Sequence, residues 1–359
     1  MRDKEFGDYQ TPLPLAKLIV GLLEPIGNRW TRVLEPTCGA GNFIKAVLES
    51  QNPPVEVLGI ELQEKYLKQA RSITPPQGTS LEIIEGNIFV LDFGKDVHWK
   101  SKGPLLVIGN PPWVTNSELG SLNSKNLPNK TNLKGLRGIE AITGHSNFDI
   151  TEYIWLKIIR ELGTEDATIA LLCKTSVARN LLVYTKQCNL NISSVAIRLI
   201  DAKRWFAISA SACLLMLNLN KENPKYEADV FDKLTSERPT NKIGFLGNEL
   251  ISDIRTYNKI SFLEGKSPIE WRQGIKHDAA DVMELVKTEG HWVNKLGDIV
   301  DVEEAYIYPL LKSSDLHKRK EKRPQRAVIV TQMRIGENTN HLETIAPRLW
   351  SYLTSHKAV

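Results

Sequence analysis

The sequence predicts a two-domain α/β protein whose larger domain is a mostly parallel sheet covered by helices. Between about residues 31 and 220, short apolar runs alternate with segments of helical period, which is the pattern of a doubly wound parallel sheet. The first apolar run ends in a glycine-rich turn, where such folds hold a nucleotide-like ligand. Residues 221–359 lack this alternation, so we expect a second, smaller domain there with a boundary near residue 220.

The predicted elements follow one another along the first domain. Apolar runs at RVLEP, VEVLGIE, LEIIEG and LLVIGN predict the first four strands, with helices at NFIKAVLES and QEKYLKQARS between the first three. An apolar stripe at helical spacing in FDITEYIWLKIIREL predicts a further helix. Three more strands are then expected at ATIALLC, VAIRLID and SACLLMLNL. The long polar segment 115–146, which follows the fourth strand, is predicted to be functional or mobile.

Composition narrows the class of protein without identifying it. The chain has 359 residues, of which 42% are hydrophobic and 25% charged, values ordinary for a soluble globular protein and unlike those of a fibrous or disordered one. A net charge of +4 is compatible with nucleic-acid binding but does not argue for it. The four cysteines show no CxxC pairing, and no apolar run is long enough to cross a bilayer. We therefore expect a cytoplasmic protein with reduced thiols.

The turn after the first strand reads EPTCGAGNF, from Glu35 to Phe43. Gly39 and Gly41 would let the backbone approach a ligand closely, and the carboxylate of Glu35 could hold an ammonium group. Glu61 ends the second strand about twenty residues later, where an acidic side chain can accept hydrogen bonds from ribose hydroxyls. A plain tight turn and a solvated surface glutamate are the alternatives. The absence of GKS or GKT argues against a nucleoside triphosphate.

The fourth strand ends in Asn110, Pro111, Pro112 and Trp113, which lie at the same sheet edge as the glycine-rich turn. The Asn110 amide oxygen and the Pro111 carbonyl are two rigidly held acceptors, and Trp113 offers a flat face for stacking. Such a set suits the exocyclic amine of a nucleobase. Two acceptors would localise the lone pair of this poor nucleophile by preorganised electrostatics. A connection punctuated by prolines is the alternative.

Together these motifs resemble those of S-adenosylmethionine-dependent DNA N6-adenine methyltransferases of the gamma motif order, from restriction-modification systems. The resemblance covers residues 5–220 well and the rest loosely. It implies a class I methyltransferase, with a Rossmann-like, mostly parallel sheet of seven strands and a smaller C-terminal α+β recognition domain. The implied domains are a catalytic domain at 1–220, which binds S-adenosyl-L-methionine, and a DNA-binding target-recognition domain at 221–359.

The resemblance also implies the cofactor contacts. FGDYQTP resembles the motif that closes over the methionine end of the cofactor, and EPTCGAG resembles the motif that wraps the methionine. GNIF resembles the motif that lies beside the cofactor's adenine ring. Asp92 is expected to substitute for the acidic residue that is usual in this motif. The helix in SNFDITEYIWLKII is expected to line the pocket for that ring. The implied cofactor-binding residues are Tyr9, Gln10, Thr11, Pro12, Glu35, Pro36, Thr37, Cys38, Gly39, Gly41, Glu61, Asn87, Ile88 and Asn110.

The same resemblance assigns the catalytic residues. NPPW matches the catalytic tetrapeptide, in which asparagine is typical of adenine targets and the last residue is commonly Tyr or Phe, so Trp113 keeps the stacking face. RWFAISASACLLML resembles a late motif whose aromatic residue packs against the extruded base; Phe206 is the first candidate and Trp205 the second, with a core aromatic as the alternative. The reaction would require base flipping and no metal ion, and the scattered histidines show no ligand spacing.

The C-terminal part of the chain contains segments that indicate binding partners. WRQGIKHDAADVMEL, YIYPLLKSSDL and RIGENTNHLETIAPRLWSYL resemble recognition regions, and the basic run between Lys318 and Arg326 could follow DNA phosphates or form a solvated loop. Related chains continue further, so the recognition domain is expected to be short or the chain truncated. We expect double-stranded DNA as partner, together with a separately encoded restriction endonuclease. An RNA or protein-glutamine methyltransferase, or a catalytically silent DNA-binding subunit, are the alternatives; a fused nuclease is not expected.

Overall fold

The computed structural model describes residues 10–113, 149–219, 224–270, 274, 279–313, 315, 325–334 and 336–357. The predictions for Tyr9, for the segment 115–146 and for most of the basic run lie outside these residues. The chain divides into two compact units, Met1–Glu264 and Gly265–Val359, which are described separately below.

The first unit is built around a ten-stranded sheet with the strand order β10-β9-β8-β6-β7-β5-β4-β1-β2-β3. The strands are β1 Arg32–Glu35, β2 Glu56–Glu61, β3 Ser80–Glu85, β4 Leu105–Gly109, β5 Ala167–Lys174, β6 Ile192–Asp201, β7 Ser211–Leu219, β8 Ala228–Phe231, β9 Asn241–Leu246 and β10 Glu249–Ile251. Strands β1 and β4 are buried along their whole length, as expected for central strands covered on both faces.

Helices cover both faces of this sheet. They are α1 Leu13–Leu23, α2 Ile26–Arg29, α3 Asn42–Leu48, α4 Glu64–Arg71, α5 Ile150–Glu161, α6 Thr175–Gln187, α7 Ala202–Phe206 and α8 Ile254–Ile260, followed by a 3₁₀ turn at Ser261–Leu263. Apolar residues of α5 and α6 pack on one face, where Trp155 is fully buried. The opposite face is covered by α1 and α3, with Leu15 and Phe43 in the core. The sheet is therefore the middle layer of three.

Seven of the ten strands form the sheet that the sequence predicts, and that prediction is confirmed. Their order is β3-β2-β1-β4-β5-β7-β6. The pairs β1 with β2, β1 with β4, β2 with β3 and β4 with β5 are parallel, whereas β7 runs antiparallel to both β5 and β6. Because β1, β2 and β4 are parallel neighbours, their carboxyl ends meet at one edge of the sheet.

Three further strands extend this sheet beyond its β6 edge. Strand β8 pairs parallel to β6, and β9 and β10 follow as antiparallel neighbours. These strands occupy residues 228–251, which the sequence assigns to the second domain because the apolar alternation fades near residue 220. The first compact unit consequently ends at Glu264. The assignment of target recognition to residues 221–359 stays a prediction.

The second unit contains an antiparallel sheet of order β13-β12-β11-β15-β14. Its elements are α9 Ala280–Met283, β11 Glu284–Thr288, β12 His291–Val293, β13 Ile299–Val300, a 3₁₀ turn at Glu304–Tyr306, β14 Ile307–Leu310, β15 Arg326–Ile329, α10 Leu342–Ile345 and α11 Pro347–Ser355. Buried Leu285, Leu342 and Leu349 form its core. This small unit has the predicted α+β character. In the described part of the chain, every helix is too short or too polar to cross a bilayer.

Candidate active site

The glycine-rich turn between β1 and α3 is closed by residues of the N-terminal segment. Gly39 and Gly41 have φ angles of 53° and 79°, in the left-handed region that favours glycine. The backbone N–H of Ala40 donates to Gln10 Oε1 at 3.1 Å. A Cβ on Gly39 would lie 2.5 Å from the same oxygen, so a larger residue there would displace the Gln10 side chain. The family resemblance implies that Gln10 lies near the turn, and the structure shows the two in contact.

Thr11 and Asn42 make a second connection between the two segments. The Asn42 side chain donates from Nδ2 to the Thr11 carbonyl at 2.8 Å. Thr11 is buried, and Pro12 directly precedes the first residue of α1. The N-terminal segment is thus fixed over the turn at two points.

Glu61, the last residue of β2, is a hydrogen-bond acceptor for three backbone N–H groups. Its Oε2 accepts from Gly39 at 2.8 Å, and its Oε1 accepts from Leu62 at 2.9 Å and from Gln63 at 2.7 Å. The carboxylate therefore joins the end of β2 to the glycine-rich turn. A sequence reading identifies the acidic residue at this strand end but not its role in organising the turn.

Glu35, the last residue of β1, is a buried carboxyl group, 3% exposed. Burial raises its pKa well above the ordinary value; the nearby Glu61 carboxylate adds to the rise, and a hydrogen bond from the backbone N–H of Ile44 opposes it. Burial likewise raises the pKa of the Cys38 thiol, with Glu35 and Glu61 contributing. Cys38 is therefore a neutral packing residue rather than a nucleophile.

The predicted catalytic tetrapeptide follows β4 and lies beside Glu35. A Cβ on Gly109 would be 3.3 Å from Glu35 Cγ, so the glycine at this strand end makes room for the carboxyl group. Asn110 lines a small cavity whose other wall is the glycine-rich turn. The lining residues are Gln10, Thr11, Glu35, Thr37, Cys38, Gly39, Asn42, Phe43 and Asn110. Three motifs that are far apart in the sequence therefore line one cavity.

The side-chain hydroxyl of Thr37, which lines this cavity, is available for hydrogen bonding to a ligand. Its Oγ1 is buried and has no hydrogen-bond partner within the described ranges. A buried hydroxyl without a partner costs free energy, so its presence in a cavity wall favours a polar ligand there.

Trp113 lies against Phe206, the first candidate for the aromatic residue of the late motif. The rings of Trp113 and Phe206 meet edge to face, with centroids 5.4 Å apart and an interplanar angle of 63°. Trp113 is buried, whereas Phe206 and Trp205 are partly exposed at the end of α7. Trp113 and Phe206, 93 positions apart in the sequence, therefore form one aromatic wall.

Three residues near the third strand are not brought into the cavity. The Asn87 side chain accepts from the backbone N–H of Phe89 at 3.0 Å, and Ile88 is buried in the core. Asp92 accepts from Gly94 at 2.9 Å within its own turn. Contacts of Asn87 and Ile88 with a cofactor stay predictions. Pro36 is buried behind the turn and also lies outside the cavity lining.

The structure adds three residues that the sequence reading missed. The Thr151 hydroxyl donates to the Pro112 carbonyl at 2.6 Å, and Asp149 accepts from the Thr151 backbone N–H at 2.9 Å. Lys174, at the end of β5, forms an ion pair with Asp149 at 2.9 Å. Asp149 is the N-cap of α5, and an aspartate before an apolar stripe could have identified the helix start. The contact of Thr151 with Pro112 depends on the tertiary fold.

The fold and the site together define a class of protein. The seven-strand core, the glycine-rich turn after β1 and the Asn-Pro-Pro-Trp sequence after β4 are the features of a class I methyltransferase. Within the described residues, His, Cys, Asp and Glu side chains form no group of three or more that could hold a metal ion.

Comparison with known proteins identifies the family. No protein-family model matches the chain. The chain is 38% identical over 355 residues to the type II methyltransferase M.NspV of Nostoc sp., an alignment that covers 98% of this chain and 74% of the relative. The chain therefore belongs to the type II methyltransferases, the S-adenosylmethionine-dependent DNA methyltransferases of restriction-modification systems.

Two solved structures are similar in fold. One is the type IIL restriction-modification enzyme MmeI in complex with DNA, with a TM-score of 0.49, 12% identity, and coverage of 98% of this chain and 50% of that chain. The other is the methyltransferase subunit of a type I restriction-modification system from Streptococcus thermophilus, with a TM-score of 0.43, 15% identity, and coverage of 70% and 51%. Similarity at this level assigns no substrate to the chain.

Proposed function

We propose that this chain transfers the methyl group of S-adenosyl-L-methionine to the N6 amine of a flipped adenine in a specific sequence of duplex DNA. One observation carries the proposal: Asn110 lines the same cavity as the glycine-rich turn. An acceptor for the nucleobase amine and the groups suited to the methyl donor are thus within one site. The gamma order of the motifs is part of the proposal.

The cavity fits the methionine end of the methyl donor. That end carries an ammonium and a carboxylate group; Glu35 offers a carboxyl group for the former, and the Thr37 hydroxyl and the backbone of the turn offer donors for the latter. Glu61 at the end of β2 is the proposed acceptor for the ribose hydroxyls. When bound, S-adenosyl-L-methionine supplies an electrophilic methyl group.

The tetrapeptide activates the amine in this proposal. Asn110 Oδ1 and the Pro111 carbonyl accept the two N–H groups of the adenine amine, which draws the nitrogen toward tetrahedral geometry and localises its lone pair. Trp113 and Phe206 provide the aromatic wall against which the flipped base packs. A base held in this way presents N6 to the cavity that contains the methyl donor.

DNA and a restriction endonuclease are the partners in this proposal. We assign DNA sequence recognition to residues 221–359 and expect a separately encoded endonuclease that cleaves the unmethylated sequence. The four cysteines are free thiols, which fits the proposal that the protein acts in the reducing cytoplasm.

A product analysis tests the proposal. We expect that the protein, incubated with S-adenosyl-L-methionine carrying a labelled methyl group and unmethylated duplex DNA at low salt, will place the label on N6-methyldeoxyadenosine within one fixed sequence. Low salt is chosen because phosphate contacts are strongest there. Label on N4-methylcytosine would overturn the adenine assignment. Label on RNA or protein with none on DNA would overturn the substrate class.

Cofactor affinity should rise with pH because of Glu35. Burial raises the pKa of this carboxyl group, so it is protonated in the free protein below that pKa, while an ammonium ligand favours the carboxylate. Binding then releases a proton, and Kd should fall by up to about tenfold per pH unit until the pKa of Glu35 is reached. Calorimetric titration at a series of pH values above the ordinary glutamate pKa of about 4.3 measures this slope.

Matched variants separate Glu35 from other buried carboxylates. Glu35→Gln should bind more weakly and lose the slope. Glu56→Gln should keep it, because Glu56 is equally buried but lies at the opposite, amino end of β2. A slope that survives Glu35→Gln would show that another group releases the proton.

A further inference from the structure

From Asn110 to the peptide bond between Pro112 and Trp113, proline leaves ψ of Pro112 unrestricted. Proline rings fix φ at Pro111 and Pro112. Residues that precede a proline are held in extended conformations, which restricts Asn110 and Pro111. Pro112 precedes Trp113 and lacks this restriction, so its ψ angle is free to vary. This angle sets the direction of the Pro112 carbonyl and of the peptide that carries Trp113.

Thr151 contacts the carbonyl oxygen of Pro112, whose direction depends on this torsion. Its hydroxyl donates to the Pro112 carbonyl oxygen at 2.6 Å, and Thr151 is fully buried in the first turn of α5. Because the threonine side chain is branched at Cβ, it has few rotamers to exchange. The hydrogen bond therefore holds ψ of Pro112 at one value.

Thr151 is itself held in place from the neighbouring strand. Its backbone N–H donates to Asp149 Oδ1 at 2.9 Å, and the other carboxylate oxygen of Asp149 pairs with Lys174 Nζ at 2.9 Å. Lys174 ends β5, the strand that pairs with β4 through Gly109 and Leu171. The start of α5 is thus tied to the same sheet edge from which the tetrapeptide projects.

We propose that Thr151 is a positioning residue for methyl transfer: by fixing the Pro112 carbonyl it aims the Trp113 ring toward Phe206 and the target base. Asp149 and Lys174 hold Thr151 in this position. This inference rests on the proposed function, in which Trp113 packs on that base. Thr151 itself contacts neither base nor methyl donor in this proposal.

Replacing Thr151 by valine tests the role, because valine keeps the branched shape and removes the hydroxyl. We expect kcat for DNA methylation to fall by about 10- to 100-fold, because removal of the donor lowers the population of the aimed orientation of the Pro112 carbonyl by about that factor. Kd for S-adenosyl-L-methionine should stay within about threefold, since the cavity residues are unchanged. Thr151→Ser, which restores the hydroxyl, should recover most of kcat.

Thr185 provides the matched control. It is also a buried threonine, 1% exposed, and its hydroxyl donates to a backbone carbonyl, that of Leu182 at 3.0 Å, but within α6. Thr185→Val should lower stability by a similar amount and leave kcat unchanged. Should Thr151→Val fail to fold, Asp149→Asn weakens the pairing with Lys174 and keeps an oxygen for the cap; several-fold loss of kcat is then expected.

The outcomes are distinguishable. If the wild-type protein labels no DNA adenine, the proposed function fails. If it does so and Thr151→Val retains wild-type kcat, the inference about Thr151 fails alone. Equal losses of kcat in Thr151→Val and Thr185→Val would also overturn it, because they would indicate a general effect of stability. With Asp149→Asn as the substitute, an unchanged kcat overturns the inference.

Discussion

Replacing Asn110 by alanine should lower kcat for adenine methylation by about 10³-fold and weaken S-adenosyl-L-methionine binding far less, although Asn110 also lines the cofactor cavity. The alanine removes one of two acceptors that polarise the amine, so the lone pair stays delocalised in the ring. Loss of a single preorganised group of this kind costs about 10²- to 10³-fold in kcat, and we expect the upper end because no second side chain supplies the acceptor in the proposed arrangement. Single-turnover transfer of labelled methyl to DNA measures the loss.

The control for this prediction is Asn241→Ala. Asn241 is the first residue of β9, where its side chain donates to the Ser252 carbonyl at 3.1 Å, far along the sheet from β4. The same truncation there should leave kcat unchanged. If Asn110→Ala keeps more than about a tenth of wild-type kcat, Asn110 does not polarise the amine. If it loses cofactor binding to the same extent as activity, Asn110 serves the cofactor rather than the base.

Much of the fold could be predicted because it rests on local pattern. All seven predicted strands of the first domain are present. The central strands β1, β4 and β5 appear in the sequence as continuous apolar runs because parallel strands covered on both faces are buried along their length. The three strands beyond β6 were not predicted. Strand β9, for example, is only partly buried, and its burial pattern gives no clear alternation to distinguish it from a loop. Where such short strands pair is decided by tertiary contacts.

The residues of the candidate site could likewise be predicted where the pattern is local, but not where their contacts depend on the tertiary fold. Glycine at positive φ, an acidic residue at a strand end and a proline pair each have a recognisable chemistry, so Gly39, Glu61 and Asn110 could be named from sequence. The edge-to-face contact of Trp113 with Phe206 depends on the tertiary fold, and the family resemblance implied only that each ring packs against the base. Thr151 has an ordinary residue type in a predicted helix, and only the fold shows that its hydroxyl contacts Pro112.

Glu61→Ala should weaken S-adenosyl-L-methionine binding by about 10²-fold, the second large effect. The carboxylate is proposed to accept hydrogen bonds from the ribose, and hydrogen bonds to a charged group contribute about 1.5–3 kcal/mol. It also accepts from the backbone N–H of Gly39 at 2.8 Å. Alanine leaves that donor without its acceptor, so the glycine-rich turn loses its connection to β2 at the same time. Calorimetric titration with the cofactor measures Kd.

Glu85→Ala is the matched control, because Glu85 is the register partner of Glu61 at the end of the neighbouring strand β3. Its side chain is 64% exposed and approaches Arg71 only at 3.9 Å, so its truncation should change neither Kd nor the urea midpoint of unfolding. Comparing the two variants separates a specific carboxylate from the general negative charge of this sheet edge. Equal Kd values for Glu61→Ala and the wild type would remove Glu61 from the cofactor site. Equal weakening in both variants would instead indicate a long-range electrostatic effect, which added salt would screen.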